Sequence, residues 1–334
     1  MSSVKITELS NVLGSQINPV VDVLPIVRVG ANSTDKITVE ELGTLFGGGL
    51  EGSQYIYVAA NGTDIENAAE LQAAYTAAQM RLPTSTKRIT IIAGPGNYNF
   101  ESNVFTMDTN FIDLVSLDGN RSIVFNAPLV LSTPEKGSIF ITANDVFVKG
   151  VDVQTKQFKT NPSLNLLKIE NCTGGNNSFG VFNAAGTYIN CVGGDFSFGG
   201  NGGSSGTFIN CKAGAYSFGG GTTFPTSSGI YENCKAGAYS FGGSLMGGVS
   251  SGTYTNCTGT SVSFGGNGTA NGIFNNCIGE STSFGGFGTL DGFLYYCRLT
   301  SGTFETVTGA GKTVYCVDGN GEPNNQGFTP QNKL

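Results

Sequence analysis

The side chains that could carry out chemistry in this chain are carboxylates and thiols, because it holds eight cysteines and no histidine. Without imidazole, Ser-His-Asp and Cys-His nucleophilic sites are excluded, and so are His-ligated metal centres. No two cysteines stand in a Cys-x-x-Cys pair, so a zinc site is not expected. Carboxylates remain. Two of them about 5 to 9.5 Å apart can hydrolyse a glycosidic bond. In the regular repeats, residues 171–316, the acids are Asp195, Glu232, Glu280, Asp291 and Glu305. They occupy different positions of a repeating unit, so stacking of units does not pair them. Asp108, Asp113, Asp118, Asp145 and Asp152 come earlier and could pair across turns of the chain. Lys149 and Arg121 are the early cations that a lyase would want beside them. Glycine runs such as Gly199-Gly200-Asn201-Gly202-Gly203 lack the lysine and the strand-to-helix context of a phosphate loop. The glycine-rich stretches hold almost no acids, so a calcium ladder lacks ligands. No catalytic residue, metal or cofactor is assigned.

The elements that hold these side chains are set by one repeated phrase, Gly-x-aromatic-x-Asn-Cys followed by Ser-Phe-Gly. The cysteines Cys172, Cys191, Cys211, Cys234, Cys257, Cys277, Cys297 and Cys316 are 19, 20, 23, 23, 20, 20 and 19 residues apart. A phenylalanine lies seven residues after each of the first seven: Phe179, Phe198, Phe218, Phe241, Phe264, Phe284 and Phe304. A unit of this length cannot bury its own apolar face and must stack on its neighbours as a solenoid. Glycine is too frequent for helices. Each unit instead offers short strands such as Thr-Tyr-Ile-Asn-Cys and Asp-Phe-Ser-Phe between turns. The fold class is therefore all-β, a parallel β-helix whose equal positions stack about 4.8 Å apart. The aromatic residues Tyr188, Phe208, Tyr231, Tyr254 and Phe274 should point in. Ile189, Ile209, Glu232, Thr255 and Asn275, one residue later, should point out. Asn171, Asn190, Asn210, Asn233, Asn256 and Asn276 should turn the corner, since asparagine tolerates left-handed backbone and its amides can bond in a column. The cysteines should be buried free thiols, because stacked Cβ atoms about 4.8 Å apart exceed the disulfide range of roughly 3.5–4.5 Å.

Length varies in one place per unit, after the phenylalanine, which puts all the loops on one edge. The apolar residues Phe224, Leu245, Met246 and Phe287, with Val249 and Leu290, are expected to be exposed there. Variable loops on a rigid scaffold are where recognition usually sits, so Phe224, Leu245, Met246 and Phe287 form a candidate receptor edge.

Residues 1–46 carry three apolar clusters, too few for a core that stands alone. They read Ile6-Thr7-Glu8-Leu9, Asp22-Val23-Leu24-Pro25-Ile26-Val27 and Lys36-Ile37-Thr38-Val39-Glu40-Glu41-Leu42. In this order they resemble the attachment module at the start of bacteriophage tail fibre and tailspike proteins. That resemblance implies contacts to other virion proteins through Leu9, Val23, Leu24, Pro25, Ile37, Val39 and Leu42. A glycine-rich hinge at 47–52 follows. Residues 53–170 begin with a strand at Tyr55–Ala59, a helix over Asn67–Arg81 and a strand at Ile89–Ala93 leading into Gly94-Pro95-Gly96-Asn97-Tyr98. This order is similar to the capped start of pectate-lyase-like β-helices, which implies a right-handed solenoid whose open end the helix covers. Residues 171–316 hold the regular repeats, and 317–334 form a polar, loop-like tail. The resemblance further implies a homotrimer, a place in the virion assembled in the host cytoplasm, and attachment to a host surface glycan or protein. Two other roles stay open, a polysaccharide-degrading tailspike and a head or neck decoration fibre. The net charge of -7 argues against a nucleic-acid partner. There is no apolar run for membrane insertion and no signal peptide.

Overall fold

The structure is a computed structural model that describes residues 23–27, 34–38, 54–101, 103–126, 137–161, 163–180, 182–285, 288–304 and 311–324. From Gln54 on, the chain winds into a parallel β-solenoid. Its largest sheet has twelve parallel strands in one unbroken order, from Gln54–Val58 at one end to Lys312–Val314 at the other. Register holds from turn to turn, with Tyr188 opposite Phe208, Phe208 opposite Tyr231 and Tyr231 opposite Tyr254. Near the start, strands such as Gly96–Tyr98 and Phe105–Met107 open two three-stranded sheets that complete the early turns. In the regular repeats one of these sides is a six-stranded sheet of two-residue strands, from Asn183–Ala184 to Thr289–Leu290.

The helix α1, Asp64–Met80, follows the first strand of the large sheet. Thr63 is its N-cap, and a capping box with Glu66 satisfies its first N–H groups. Its buried face, including Leu71, Tyr75 and Ala78, packs against Gln54–Val58 and Gly96–Tyr98. Asn67 Nδ2 donates to the Asn97 carbonyl, and the Tyr75 hydroxyl accepts from Asp108 N–H. The helix thus covers strand edges that would otherwise recruit another chain.

All eight cysteines are buried and free. Each asparagine corner is left-handed, with φ of 52–54° from Asn171 to Asn276. The asparagine amides bond in a column, Asn210 Nδ2 to Asn190 Oδ1 at 3.1 Å and Asn233 Nδ2 to Asn210 Oδ1 at 3.1 Å. Tyr296 and Tyr315 take over the left-handed corner at the last two turns, their rings stacked 5.3 Å apart.

The stretch read as a strand, Asp195-Phe196-Ser197-Phe198, is instead a zigzag turn. Phe196 and Phe198 are both left-handed, at φ 56° and 53°, and the same alternation recurs at Tyr216 and Phe218 and at Tyr239 and Phe241. The alternation points successive N–H groups to opposite neighbours. Phe196 N–H bonds to Ala215 O of the following turn, and Phe198 N–H to Ser178 O of the preceding one. Between them Ser197 is buried and its Oγ accepts from Ser178 N–H. Ser217 and Ser240 repeat this bond, so a hydroxyl column replaces the strand ladder. The serine also explains the glycine two after Cys191: a Cβ at Gly193 would lie 2.6 Å from Ser197 Cβ.

The tail reading is corrected in part, since Cys316–Val317 pairs antiparallel with Pro323–Asn324. Of the attachment residues, Val23, Leu24, Pro25 and Ile37 lie in two paired antiparallel strands, Val23–Val27 and Thr34–Thr38. Leu9, Val39 and Leu42 lie outside the described residues.

Candidate functional site

The scaffold of the candidate edge is a pair of aromatic columns. The phenylalanines from Phe179 to Phe284 stack face to face, 4.7–4.9 Å apart and within 8° of parallel. Tyr188, Phe208, Tyr231, Tyr254 and Phe274 form the second column, 4.7–5.2 Å apart. The two columns meet edge to face, as for Phe241 and Tyr231 at 87°, a geometry that suits the ring quadrupoles. The Tyr231 hydroxyl donates to the Ser204 carbonyl and that of Tyr254 to the Ser227 carbonyl, so these buried phenols are satisfied.

A left-handed glycine follows each phenylalanine, for example Gly199 at φ 85° after Phe198. A Cβ on Gly199 would lie 1.9 Å from Gly203 O, so no side chain fits there. This glycine turns the chain out into the loops. Two neighbouring turns have the long loops, leading to Thr226–Ser227 and Val249–Ser250. They are tied together. Gly221 N–H bonds to Gly243 O, Ser244 Oγ donates to Thr223 O, and Asn267 Nδ2 donates to Leu245 O. The Phe224 ring lies over Gly247. At this edge Phe224 is 76% exposed, Met246 65% and Leu245 51%. Phe182, two turns earlier and in register with Pro225, is 68% exposed and was not singled out from the sequence. Its signal was available, as an aromatic three residues past Phe179 in the variable stretch. Leu290 is a correction: it is fully buried, because it fills the inward position held elsewhere by Ala184, Ser204, Ser227, Ser250 and Ala270. Val249 is half-buried. Phe287 lies outside the described residues.

Two of the early acids, Asp113 and Asp145, are brought together by one cation. Arg88 bonds to Asp113 at 2.6 Å and to Asp145 at 2.7 Å, bridging two adjacent turns. Asp113 also accepts from Phe147 N–H. These bonds and the two negative charges push the Arg88 guanidinium well above its ordinary value, against the opposing effect of burial. A carboxylate pair clamped in this way has its lone pairs committed to structure. Asp118 accepts from Ser116, Ser122 and Asn120 N–H, which holds its carboxyl far below the usual range. It would therefore be a poor general acid near neutrality. Asp108 accepts from Gln79 and Thr109, and Asp152 from Gln154 N–H. The two cations a lyase would use are engaged as well, Lys149 with Glu170 at 2.8 Å and Arg121 with the Asn190 carbonyl.

The later acids stay apart. Asp195 lies between the cysteine and phenylalanine corners, where it accepts from Ala215 N–H. Glu232 points out from the large sheet, and Asp291 follows the short strand Thr289–Leu290. Glu305 lies outside the described residues. Among the described residues no group of three or more cysteines and acids is placed to hold a metal ion, and no helix is long and apolar enough to cross a membrane. Comparison of the chain with protein-family models, with curated proteins and with solved structures finds no match.

Proposed function

We propose that the chain is a structural protein of a bacteriophage virion, a tail fibre or tailspike-like appendage that contributes to attachment at the host surface. In this reading residues 1–46 fasten it to other virion proteins, the solenoid is a rigid arm assembled as a trimer, and the loop edge meets a surface glycan or protein. The observation that carries the reading is the loop edge itself. The longest loops and four strongly exposed apolar side chains stand on one side of a scaffold whose core is columns of stacked, fully buried rings. Solitary exposed hydrophobes are ordinary, whereas grouped ones mark contact sites. A polysaccharide-degrading role is disfavoured by Arg88, which holds both Asp113 and Asp145 in ion pairs.

The test is adsorption of particles that carry Phe224→Ser together with Met246→Ser. Both side chains are exposed, so the solenoid should fold and incorporate as before. Adsorption should slow while the copy number per particle stays constant. Unchanged adsorption would remove the loop edge from the attachment role.

A further inference from the structure

Residues 211–220 and 234–243 read identically, Cys-Lys-Ala-Gly-Ala-Tyr-Ser-Phe-Gly-Gly, in adjacent turns. Cysteine, serine, phenylalanine and the glycines serve the core and its corners. Lysine and tyrosine do not, since the flanking turns hold Val192 and Thr258 in the lysine's place and Phe196 and Val262 in the tyrosine's. Lys212 and Lys235 pair in parallel register, about 4.8 Å apart at the backbone, and both are exposed. Like charges placed directly opposite one another destabilise a sheet. These two are the only cations between residues 171 and 297, which also hold four acids, yet they stand against each other. Asp195 bonds to Ala215 N–H, and Glu232 lies beyond the Asn233 corner. Neither lysine is in an ion pair among the described residues. Beside them Tyr216 and Tyr239 stack 5.0 Å apart and within 7° of parallel, and Phe196 extends the column at 4.8 Å. Stacked in this way the half-buried rings cover one another's faces and turn edges and phenol oxygens to solvent.

We infer that this doubled segment binds an acidic sugar of a polysaccharide. The sugar's anionic group lies between the Lys212 and Lys235 ammoniums, and its hydroxyls meet the Tyr216 and Tyr239 phenols. An anion there replaces one repulsion with two charge-assisted contacts. Lysine suits the task, because its ammonium is a compact charge with three rotatable donors. The exposed amides of Asn210 and Asn233 each give one N–H to the asparagine column and keep a second for a sugar oxygen. A nucleic acid fits less well, since bases bind by stacking on open ring faces and those of the tyrosines are closed. The site stands between the asparagine corner and the loops. It goes beyond the proposed attachment through the loop edge, and it would stand if Phe224→Ser with Met246→Ser left adsorption unchanged.

Fluorescence anisotropy of labelled oligogalacturonate and labelled dextran sulfate, titrated with the full chain, tests it. The wild type should bind at least one of the two, binding should weaken as salt rises, and neutral dextran should not compete. Lys212→Gln combined with Lys235→Gln should weaken binding about tenfold or more. Lys168→Gln on the large sheet removes the same charge and should leave binding unchanged. Tyr216→Phe combined with Tyr239→Phe should weaken binding severalfold at the same salt dependence. The double glutamine chain should melt no lower than the wild type, because it has lost a repulsion. A clear drop in its melting temperature would make the lysines structural and overturn the site. Absence of binding to both labelled glycans would overturn it, and so would full binding by the double glutamine chain, equal weakening by Lys168→Gln or competition by neutral dextran. Full binding by the double phenylalanine chain, or a single-stranded DNA oligonucleotide that competes as well as a glycan of equal charge, would reduce the site to bare charge attraction and overturn its choice of a sugar.

Discussion

Phe241 stands mid-column, with Phe218 on one side and Phe264 on the other, each within 4.9 Å and 2° of parallel. Phe241→Ala should cost about 3–5 kcal/mol, through lost burial and the cavity left behind. In a solenoid that loss stays within the turn and its two neighbours. Thr255→Ala, on the outer side of the large sheet, should change stability by no more than about 0.5 kcal/mol. Hydrogen exchange compares them: loss of protection should spread over three turns in the first variant and be absent in the second. Equal protection in both would reverse the assignment of inside and outside. The thiols give a second expectation. Burial pushes the Cys172, Cys211, Cys257 and Cys277 thiols well above the ordinary value of 9.0. The folded state then keeps protons that the unfolded state releases, so their contribution is intact below about pH 9 and is lost as pH rises above it. Denaturation midpoints measured across that range should fall, and native protein should show no reactive thiol until it unfolds. Cysteine and phenylalanine positions were legible in the sequence because each recurs at a fixed offset. The serines of the Ser-Phe-Gly phrase, Ser178, Ser197, Ser217, Ser240, Ser263 and Ser283, were legible as positions, but their column of hydroxyl bonds was not. Serine is common in turns, and only the left-handed backbone on either side reveals a buried N–H that needs its oxygen.

Among the elements, the helix was readable from the spacing of Ala68, Leu71, Ala74, Tyr75 and Ala78, all of which are buried. Its first turn was placed too late, because the pattern of apolar residues begins after the Thr63-Asp64-Ile65-Glu66 capping box. Thr63→Ala should remove about 1 kcal/mol of helix stability. The effect should appear as faster exchange in the helix and in Gly96–Tyr98 beneath it, with the turns after Cys172 unchanged. A uniform loss along the whole chain would mean that the solenoid unfolds as one unit and not from its covered end. The stretch Asp195–Phe198 misled for a physical reason. Alternating aromatic and small residues suit a strand, and their left-handed geometry is disfavoured for single residues. It persists here because bonds to the turns above and below hold each residue in place, which no local window of sequence contains.

For the whole molecule, the described contacts place the solenoid's beginning at Gln54, with α1 as its cover. A chain lacking residues 1–46 should therefore fold with the same far-ultraviolet spectrum and the same cooperative melt, and under the proposed virion role it should fail to join particles in a complementation assay. Normal incorporation would move the fastening role elsewhere. The same architecture has a mechanical consequence. The backbone bonds from Phe198 to Ser178 and from Phe196 to Ala215 run along the solenoid axis, as do those of the asparagine and serine columns. A pull along that axis loads all the bonds between two turns together, and successive turns one after another in series. The arm should thus resist stretching until one junction fails, then lengthen by one turn at a time. With about 3.5 Å per extended residue, each step of 19 to 23 residues should release on the order of 7 nm of chain. An arm built this way gives up length in measured increments, which makes it a shock absorber as well as a strut.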